Sequence, residues 1–104
     1  GTIKTQYWYR NGRLHREGDE PARIWYYASG TIWSQLWFRD DLSHREGDLP
    51  SEIEYYKNGT IMVQWWYRNG RRYREGDGPT CIEYSESGAM VSQSYYRHGI
   101  QVKP

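Results

Sequence analysis

Apolar and aromatic positions fall in short segments along this chain, and residues typical of turns separate the segments. In the first segment, about Thr2 to Arg10, β-branched and aromatic residues dominate, and Asn11-Gly12 follows it. A short segment from Arg13 to Arg16 and a longer one from Ala22 to Tyr27 come next. No stretch has the 3.6-residue period of an amphipathic helix. The pattern therefore predicts an all-β fold in which each segment is a strand.

The same pattern returns every 29 residues, as an internal repeat. The copies open with Gly1-Thr2-Ile3, Gly30-Thr31-Ile32, Gly59-Thr60-Ile61 and the weaker Gly88-Ala89-Met90. We therefore divide a single domain, 1–104, into units 1–29, 30–58 and 59–87 and a partial unit, 88–104. Three strands in each unit predict an antiparallel meander of about ten or eleven strands, as an open coiled sheet or as a repeat barrel or solenoid.

Turn and loop residues recur in the same phase. An Asn-Gly pair favours the positive φ angles of a two-residue hairpin turn, glycine interrupts a strand, and proline lacks the N–H donor that a strand needs. The structural turn and loop positions are Asn11, Gly12, Gly18, Asp19, Pro21, Gly47, Asp48, Pro50, Asn69, Gly70, Gly76, Asp77 and Pro79. A two-residue turn at Asn11-Gly12 would place Tyr9 opposite Leu14.

The turn at Ser29-Gly30 leaves two registers open. A two-residue turn would place Ile24 and Tyr26 on the face that carries Gln35 and Trp37. A three-residue turn with a glycine bulge would move them to the other face, because a slip of one residue reverses every side chain. In either register both faces of the sheet carry aromatic residues.

Composition indicates that most of these aromatic residues must be buried. The mean hydropathy of −1.07 is typical of disordered chains, but that scale counts tryptophan and tyrosine as polar. The chain has six Trp, eleven Tyr and one Phe, and each can bury about 150–250 Å². Since ordering the backbone costs about 1–2 kcal/mol per residue, a stable fold requires most of that aromatic area to be buried. We expect Trp8, Trp37 and Trp66 to pack in a ladder with Ile24, Ile53 and Ile82.

Charge and cysteine content exclude several classes of function. The formal net charge is +1, with both signs mixed along the chain, which gives no electrostatic basis for binding duplex nucleic acid or an anionic membrane. No apolar run approaches the roughly 20 residues of a membrane span. The single cysteine, Cys81, cannot form an internal disulfide, which is compatible with a reducing, cytoplasmic compartment.

One polar and aromatic set recurs in every unit, and we call it the Gln/Trp/Arg stripe. Its period-two spacing places the three side chains of a unit on one face of a strand. A π surface beside an amide and a guanidinium suits a sugar, a peptide or single-stranded nucleic acid. Recurrence favours packing instead, because every unit must make the same internal contacts to stack. The stripe comprises Gln6, Trp8, Arg10, Gln35, Trp37, Arg39, Gln64, Trp66, Arg68, Gln93, Tyr95 and Arg97.

The loop His15-Arg16-Glu17-Gly18-Asp19 recurs at 44–48, and at 73–77 with Tyr73 in place of histidine. An imidazole close to carboxylates is typical of metal sites, but the third copy has no histidine to act as a ligand. We expect loop N–H groups and a nearby arginine to pair with the carboxylates, and His15 to pack on Trp8. The sequence therefore predicts no metal and no cofactor.

The run Trp8-Tyr9-Arg10-Asn11-Gly12, with His15-Arg16, Asp19 and Pro21-Ala22, resembles MORN-like repeats (membrane occupation and recognition nexus), whose unit is a β-hairpin opened by Tyr/Trp-x-x-Gly. The closer likeness is to the W-Y-x-N-G-x-x-H-R-x-x-x-P-A repeats in proteins of large amoeba-infecting DNA viruses and some bacteria. The resemblance covers essentially the whole chain. It implies scaffolding, protein contact or lipid association, although the 29-residue unit and the mixed charge argue against lipid.

No arrangement typical of a catalytic site occurs in the sequence, so we expect no enzyme. The serines lie in no nucleophile-elbow context and there is no glycine-rich phosphate loop. We expect a structural or protein-interaction module with a protein partner or self-association. A small carbohydrate-binding, lectin-like module is the first alternative. A designed or redesigned repeat protein without natural function is the second, although Asp40-Asp41 replaces the better Asn-Gly at one turn.

Overall fold

The structure is a computed structural model that describes residues 4–76, 78–97 and 100–102. This part of the chain is all β, as predicted, and none of it forms a helix that could cross a membrane. The strands are β1 (Thr5–Tyr7), β2 (Tyr9–Arg10), β3 (Arg13–Leu14), β4 (Arg23–Tyr26), β5 (Ile32–Leu36), β6 (Phe38–Arg39), β7 (Leu42–Ser43), β8 (Glu52–Tyr55), β9 (Ile61–Trp65), β10 (Tyr67–Arg68), β11 (Arg71–Arg72), β12 (Cys81–Tyr84), β13 (Met90–Arg97) and β14 (Ile100–Val102).

Eight of these strands form one antiparallel sheet in the order β1-β4-β5-β8-β9-β12-β13-β14. The other six form three two-stranded hairpins, β2-β3, β6-β7 and β10-β11. The predicted antiparallel meander is confirmed, and the sheet is open. The alternative of a closed barrel is wrong, because β1 and β14 lie at opposite ends of the sheet instead of pairing with each other.

The described residues hold fourteen strands, more than the ten or eleven predicted, because each long first strand is divided at its tryptophan. The N–H of Trp8 donates to the carbonyl of Ala22 in the main sheet, while its carbonyl accepts the N–H of His15 in the small hairpin. One residue thus bonds to two different partners, and the strand breaks there. In the partial unit, where Tyr95 replaces tryptophan, Met90–Arg97 is a single strand.

The hairpin turn at Asn11-Gly12 has the predicted form. Asn11 and Gly12 have φ angles of 51° and 77°, and both being positive is the mark of a two-residue type I′ turn. Tyr9 lies opposite Leu14, so this prediction is confirmed. The same two-stranded hairpin recurs in each full unit.

The turns between units have three residues. The N–H of Tyr27 donates to the carbonyl of Thr31 at 2.8 Å, and Gly30 has a φ of 94°. Tyr26 consequently lies opposite Ile32, which is the register of the three-residue alternative.

A bulge then changes that register within two residues. Trp25 lies opposite Ser34, so that Trp33 has no direct partner and is an extra residue in its strand. Beyond the bulge Ile24 lies opposite Gln35, the pairing that a two-residue turn would have produced. Both alternatives thus occur in succession, and the same shift recurs after Glu54 and Glu83.

Residues that lie opposite each other in paired strands share a face, and one face of the main sheet carries the repeated residues. We call it the repeat face. Its isoleucines are each 8 % exposed, and each lies between two glutamines of neighbouring strands. Across the sheet the row reads Gln6, Ile24, Gln35, Ile53, Gln64, Ile82 and Gln93. Beside it lie the buried small residues Ala22, Ser51 and Thr80 and the buried Trp37 and Trp66. Together with Val63, which lies on the other face opposite Glu54, these residues form the core.

Successive hairpins bond to one another, and this explains the unusual turn at Asp40-Asp41. Both residues have positive φ, 49° and 69°, as Asn and Gly do in the other hairpins. The carboxylate of Asp41 accepts the N–H of Leu14 at 2.6 Å, and its own N–H donates to the carbonyl of Leu14 at 3.0 Å. Glycine could make only the second of these bonds. The additional bond offsets the strain of about 1 kcal/mol of a non-glycine residue at positive φ.

We expect Asp41→Ala to lower the free energy of unfolding by about 1–2 kcal/mol, because the strain remains and the N–H of Leu14 loses its acceptor. Asp41→Gly loses the same bond but relieves the strain, so its loss should be smaller. Urea denaturation followed by far-ultraviolet circular dichroism measures both variants. An Asp41→Ala chain as stable as the parent would contradict the bond between hairpins.

Candidate functional site

The glutamines of the Gln/Trp/Arg stripe accept hydrogen bonds from tyrosine hydroxyls of their own unit. The hydroxyl of Tyr26 donates to Oε1 of Gln6 at 2.8 Å, and that of Tyr55 donates to Gln35 at 2.7 Å. The third unit repeats the bond at 3.0 Å. Each tyrosine follows a buried isoleucine by two residues and therefore lies on the repeat face. The amide oxygens of these three glutamines thus have partners within the fold.

The tryptophans of the stripe lie beneath an arginine of the following loop. Cζ of Arg45 is 3.9 Å from the ring centroid of Trp37, and the corresponding distances in the first and third units are 3.8 Å and 4.0 Å. Nη1 of Arg45 also donates to the carbonyl of Pro50 at 3.0 Å, which fixes the loop over the ring. Trp66 is only 4 % exposed. One ring face that a sugar or base would need is therefore covered in every full unit.

The arginines of the stripe itself pair with acidic and amide groups of two units. Arg39 donates to Oε1 of Glu46 at 3.3 Å and to Oδ1 of Asn69 in the next hairpin at 3.1 Å. Arg10 pairs in the same way with Glu17 and, at 3.5 Å, with Asp40. The arginine that covers each tryptophan is therefore not the arginine of the stripe. The structure gives that position to the loop arginine and places the stripe arginine between units.

The two loop histidines connect units as well. His15 is 7 % exposed; its Nδ1 accepts the backbone N–H of Asp40 at 3.3 Å, and its Nε2 lies 3.0 Å from Glu17. A backbone N–H can only donate, so the neutral ring carries its proton on Nε2 and donates it to Glu17. His44 makes the same two contacts with Asn69 and Glu46. Both ring nitrogens of each histidine thus have a partner within the protein.

The sequence predicted that loop N–H groups would donate to Asp19. Among the described residues none does, and the carboxylate instead binds an arginine of the next unit. Nε and Nη2 of Arg45 donate to its two carboxylate oxygens at 2.8 Å and 3.0 Å. This hydrogen bonding, more than the charge of Arg45, holds the pKa of Asp19 below its ordinary value. Because the folded-state pKa is lowered, the stabilisation is present at neutral pH and is lost as the pH falls through that pKa. Asp48 and Arg74 repeat the pair.

In the partial unit one member of the stripe has a substitute partner. The hydroxyl of Tyr95 donates to Oε1 of Gln93 at 3.1 Å. In the full units the glutamine instead accepts a hydrogen bond from a tyrosine of β4, β8 or β12. The side chain of Arg97 and the loop residue Asp77 lie outside the described residues. In the full units the stripe is thus divided between the main sheet, which carries its glutamines, and the small hairpins, which carry its arginines. Most of the polar atoms described above are bonded to the protein.

The opposite face of the sheet, which we call the variable face, holds residues that differ between units, and sequence analysis did not single it out. Trp25 of the first unit corresponds to Glu54 and Glu83, and Trp33 corresponds to Met62 and Val91. A cavity of about 450 Å³ lies on this face over β5, between β4 and β8. The signal in the sequence was the absence of repetition. Because the contacts that stack the units recur in every unit, residues that differ between units are not needed for stacking and can form a binding site.

Nothing in the described residues forms a group of three or more histidine, cysteine, aspartate or glutamate side chains able to hold a metal ion. Burial raises the pKa of the Cys81 thiol, so that this cysteine is a poor nucleophile at neutral pH. We compared the chain with protein-family models, curated proteins and solved structures, and found no match in any of the three.

Proposed function

We propose that this chain is a non-enzymatic repeat module that contacts a protein partner through an open strand edge, in the manner of a MORN-like scaffold. The observation that supports the proposal is that the repeated polar side chains form hydrogen bonds within the module. Glutamines, loop arginines, stripe arginines and loop histidines bond within their unit or to the next one. Such a chain has the build of a stacking scaffold.

The edge beside β13 supports a particular kind of contact. In the interior of the sheet β5 pairs with β4 on one side and with β8 on the other. Within the described residues, β13 pairs with β12 through residues 81–84, and β14 pairs only with 95–97. The outer edge of 90–94 is therefore open at the position where β8 lies beside β5. Open edges of this kind bind extended segments by strand addition.

The interior pairs indicate which segment fits that edge. At β5 the neighbouring strand supplies Ile53, which lies opposite Gln35, and Tyr55, which donates to the same glutamine. Gln93 occupies the corresponding position beside the open edge. A segment with isoleucine two residues before tyrosine would fit there, with its tyrosine hydroxyl taking the place of the Tyr95 hydroxyl that now donates to Gln93. In the part of the chain that the structure describes, a second copy offers no unpaired strand of this kind, because β1, at the other end of the main sheet, also belongs to the first strand of a unit.

A peptide with the sequence of residues 50–57, labelled with a dye, tests the proposal by fluorescence anisotropy. We expect a saturable rise on titration with the chain, because the peptide can pair with the edge as β8 pairs with β5. A control peptide with aspartate in place of Ile53 should bind at least about tenfold more weakly, the equivalent of 1.4 kcal/mol. The absence of saturable binding, or equal binding of both peptides, would overturn the proposal.

A further inference from the structure

The cavity on the variable face is a groove along β5 with two chemically different walls. Its floor is formed by Ser34, which is 5 % exposed, and Leu36. Arg23 and Trp25 stand on β4, because they lie opposite Leu36 and Ser34 respectively. Across the groove, Glu52 and Glu54 stand on β8 opposite the same two floor residues. Two strand spacings separate the walls by about 9–10 Å.

One wall is aromatic. The rings of Trp25 and Trp33 have centroids 5.0 Å apart at an angle of 47°, and Trp33 also lies 5.9 Å from Tyr27. Cζ of Arg23 lies over the Trp25 ring, 4.5 Å from its centre, so the guanidinium covers one face of that ring. Among the described residues no arginine or lysine covers Trp33 in this way. Such a wall offers flat apolar area together with hydrogen-bond donors.

The other wall is acidic and has no cation of its own. The ion pairs between described residues involve neither Glu52 nor Glu54, and Arg23 is likewise in none of them. Burial raises the pKa of Glu54; burial first, and then the neighbouring Glu54 carboxylate, raises the pKa of Glu52, which Arg23 partly opposes. Two carboxylates and one guanidinium leave the groove with one unbalanced negative charge when all are ionised.

We propose that this groove binds a saccharide unit that carries a free amine, such as a glucosamine residue of a chitosan oligosaccharide. The apolar C–H face of the ring would lie on the tryptophan wall, the ammonium group between Glu52 and Glu54, and a hydroxyl oxygen against the guanidinium of Arg23. The volume of about 450 Å³ is within the range of small-ligand sites. This inference concerns the face opposite the Gln/Trp/Arg stripe and does not depend on the strand-edge proposal.

The charge pattern selects this ligand over two simpler ones. A neutral sugar would use the tryptophans and Arg23 but leave the repulsion between the carboxylates unrelieved. A simple alkylammonium would relieve that repulsion but give Arg23 no acceptor. Within the described residues this combination occurs once, because the residues 29 positions after Arg23, Trp25 and Trp33 are Glu52, Glu54 and Met62.

The test compares the chitosan tetramer with its fully N-acetylated counterpart, by tryptophan fluorescence and calorimetric titration at mildly acidic pH, where the free amine is protonated. We expect saturable binding of the amine form, at least about tenfold tighter than of the acetylated form. Further acidification, which protonates Glu52 and Glu54, should weaken it. Equal binding of both oligosaccharides, or binding of neither, would overturn the proposal.

Two glutamine variants locate the site. Glu54→Gln should weaken binding of the chitosan tetramer at least about tenfold, and it should fold, because burial already disfavours the charge that it removes. Glu83→Gln is the matched control: it lies at the same position one unit later, opposite Val63 and Ser92. It should bind the tetramer as the parent does. Equal affinity of Glu54→Gln and the parent would place any binding elsewhere and refute the groove.

Discussion

Trp66→Ala is expected to lower the free energy of unfolding by about 3–5 kcal/mol, the range for removing a fully packed tryptophan. Trp66 is 4 % exposed, its ring lies 4.0 Å from Cζ of Arg74, and its indole N–H donates to the carbonyl of Asp48 at 3.4 Å. The substitution leaves a cavity in the core and releases the loop that Arg74 holds. Small domains are stable by only about 5–15 kcal/mol, so the loss is a large share of the total.

The adjacent tryptophan is the matched control. Trp65 lies on the variable face, opposite Glu52 and Cys81, and is more exposed than Trp66. Trp65→Ala should therefore cost less than half as much, although the two residues are of the same type and are adjacent in the chain. Urea denaturation followed by circular dichroism compares the two. If Trp66→Ala kept the midpoint of the parent chain, the stripe would be a displayed surface and not part of the core.

Arg45→Ala is expected to be the second most damaging change, with a loss of about 2–3 kcal/mol. It removes the cover of the Trp37 ring at 3.9 Å, the bond to the carbonyl of Pro50 and the two bonds to Asp19. The Pro50 carbonyl is left without this donor. Asp19 is 55 % exposed, so solvent screening limits the contribution of that pair to about 1 kcal/mol or less.

Arg16→Ala provides the comparison. Arg16 also covers a tryptophan at 3.8 Å and donates to a loop carbonyl at 3.2 Å, but among the described residues its ion pair is with Glu20 of its own loop, at 4.0 Å, and not with an aspartate. Arg16→Ala should lower the free energy of unfolding less than Arg45→Ala does, and the difference should equal the contribution of the Arg45–Asp19 pair. Thermal denaturation of both variants, at low and at high salt, measures this difference. The two losses should converge as salt screens the pair.

Much of the fold follows from local residue pattern. The strand segments, the pairing of Tyr9 with Leu14 and the open antiparallel meander depend on turn chemistry and on repetition, which are readable along the chain. The division of the first strand at Trp8 is not readable, because it arises when one residue bonds to two different strands. The bulge at Trp33 also cannot be read from the sequence, because the one-residue shift in register that it introduces cancels the shift introduced by the preceding three-residue turn.

The candidate sites were less accessible to sequence reasoning. Spacing places Gln, Trp and Arg on one face, yet the arginine that covers each tryptophan comes from a loop folded back over it. Arg23 and Glu52 face each other across a groove although they are 29 residues apart, at equivalent positions of two units. The repeat pattern describes only the residues that the units share, so it does not indicate a groove formed by residues that differ between units.

The central claim is that the repeated side chains hold neighbouring units together. A double-mutant cycle across the boundary between the first and second units, with Arg45→Ala, Asp19→Ala and the double variant, measures this most directly. We predict that the two losses are not additive and that the coupling free energy is about 1 kcal/mol, with the same sign for the Arg74–Asp48 pair. Strict additivity in both cycles would contradict the account.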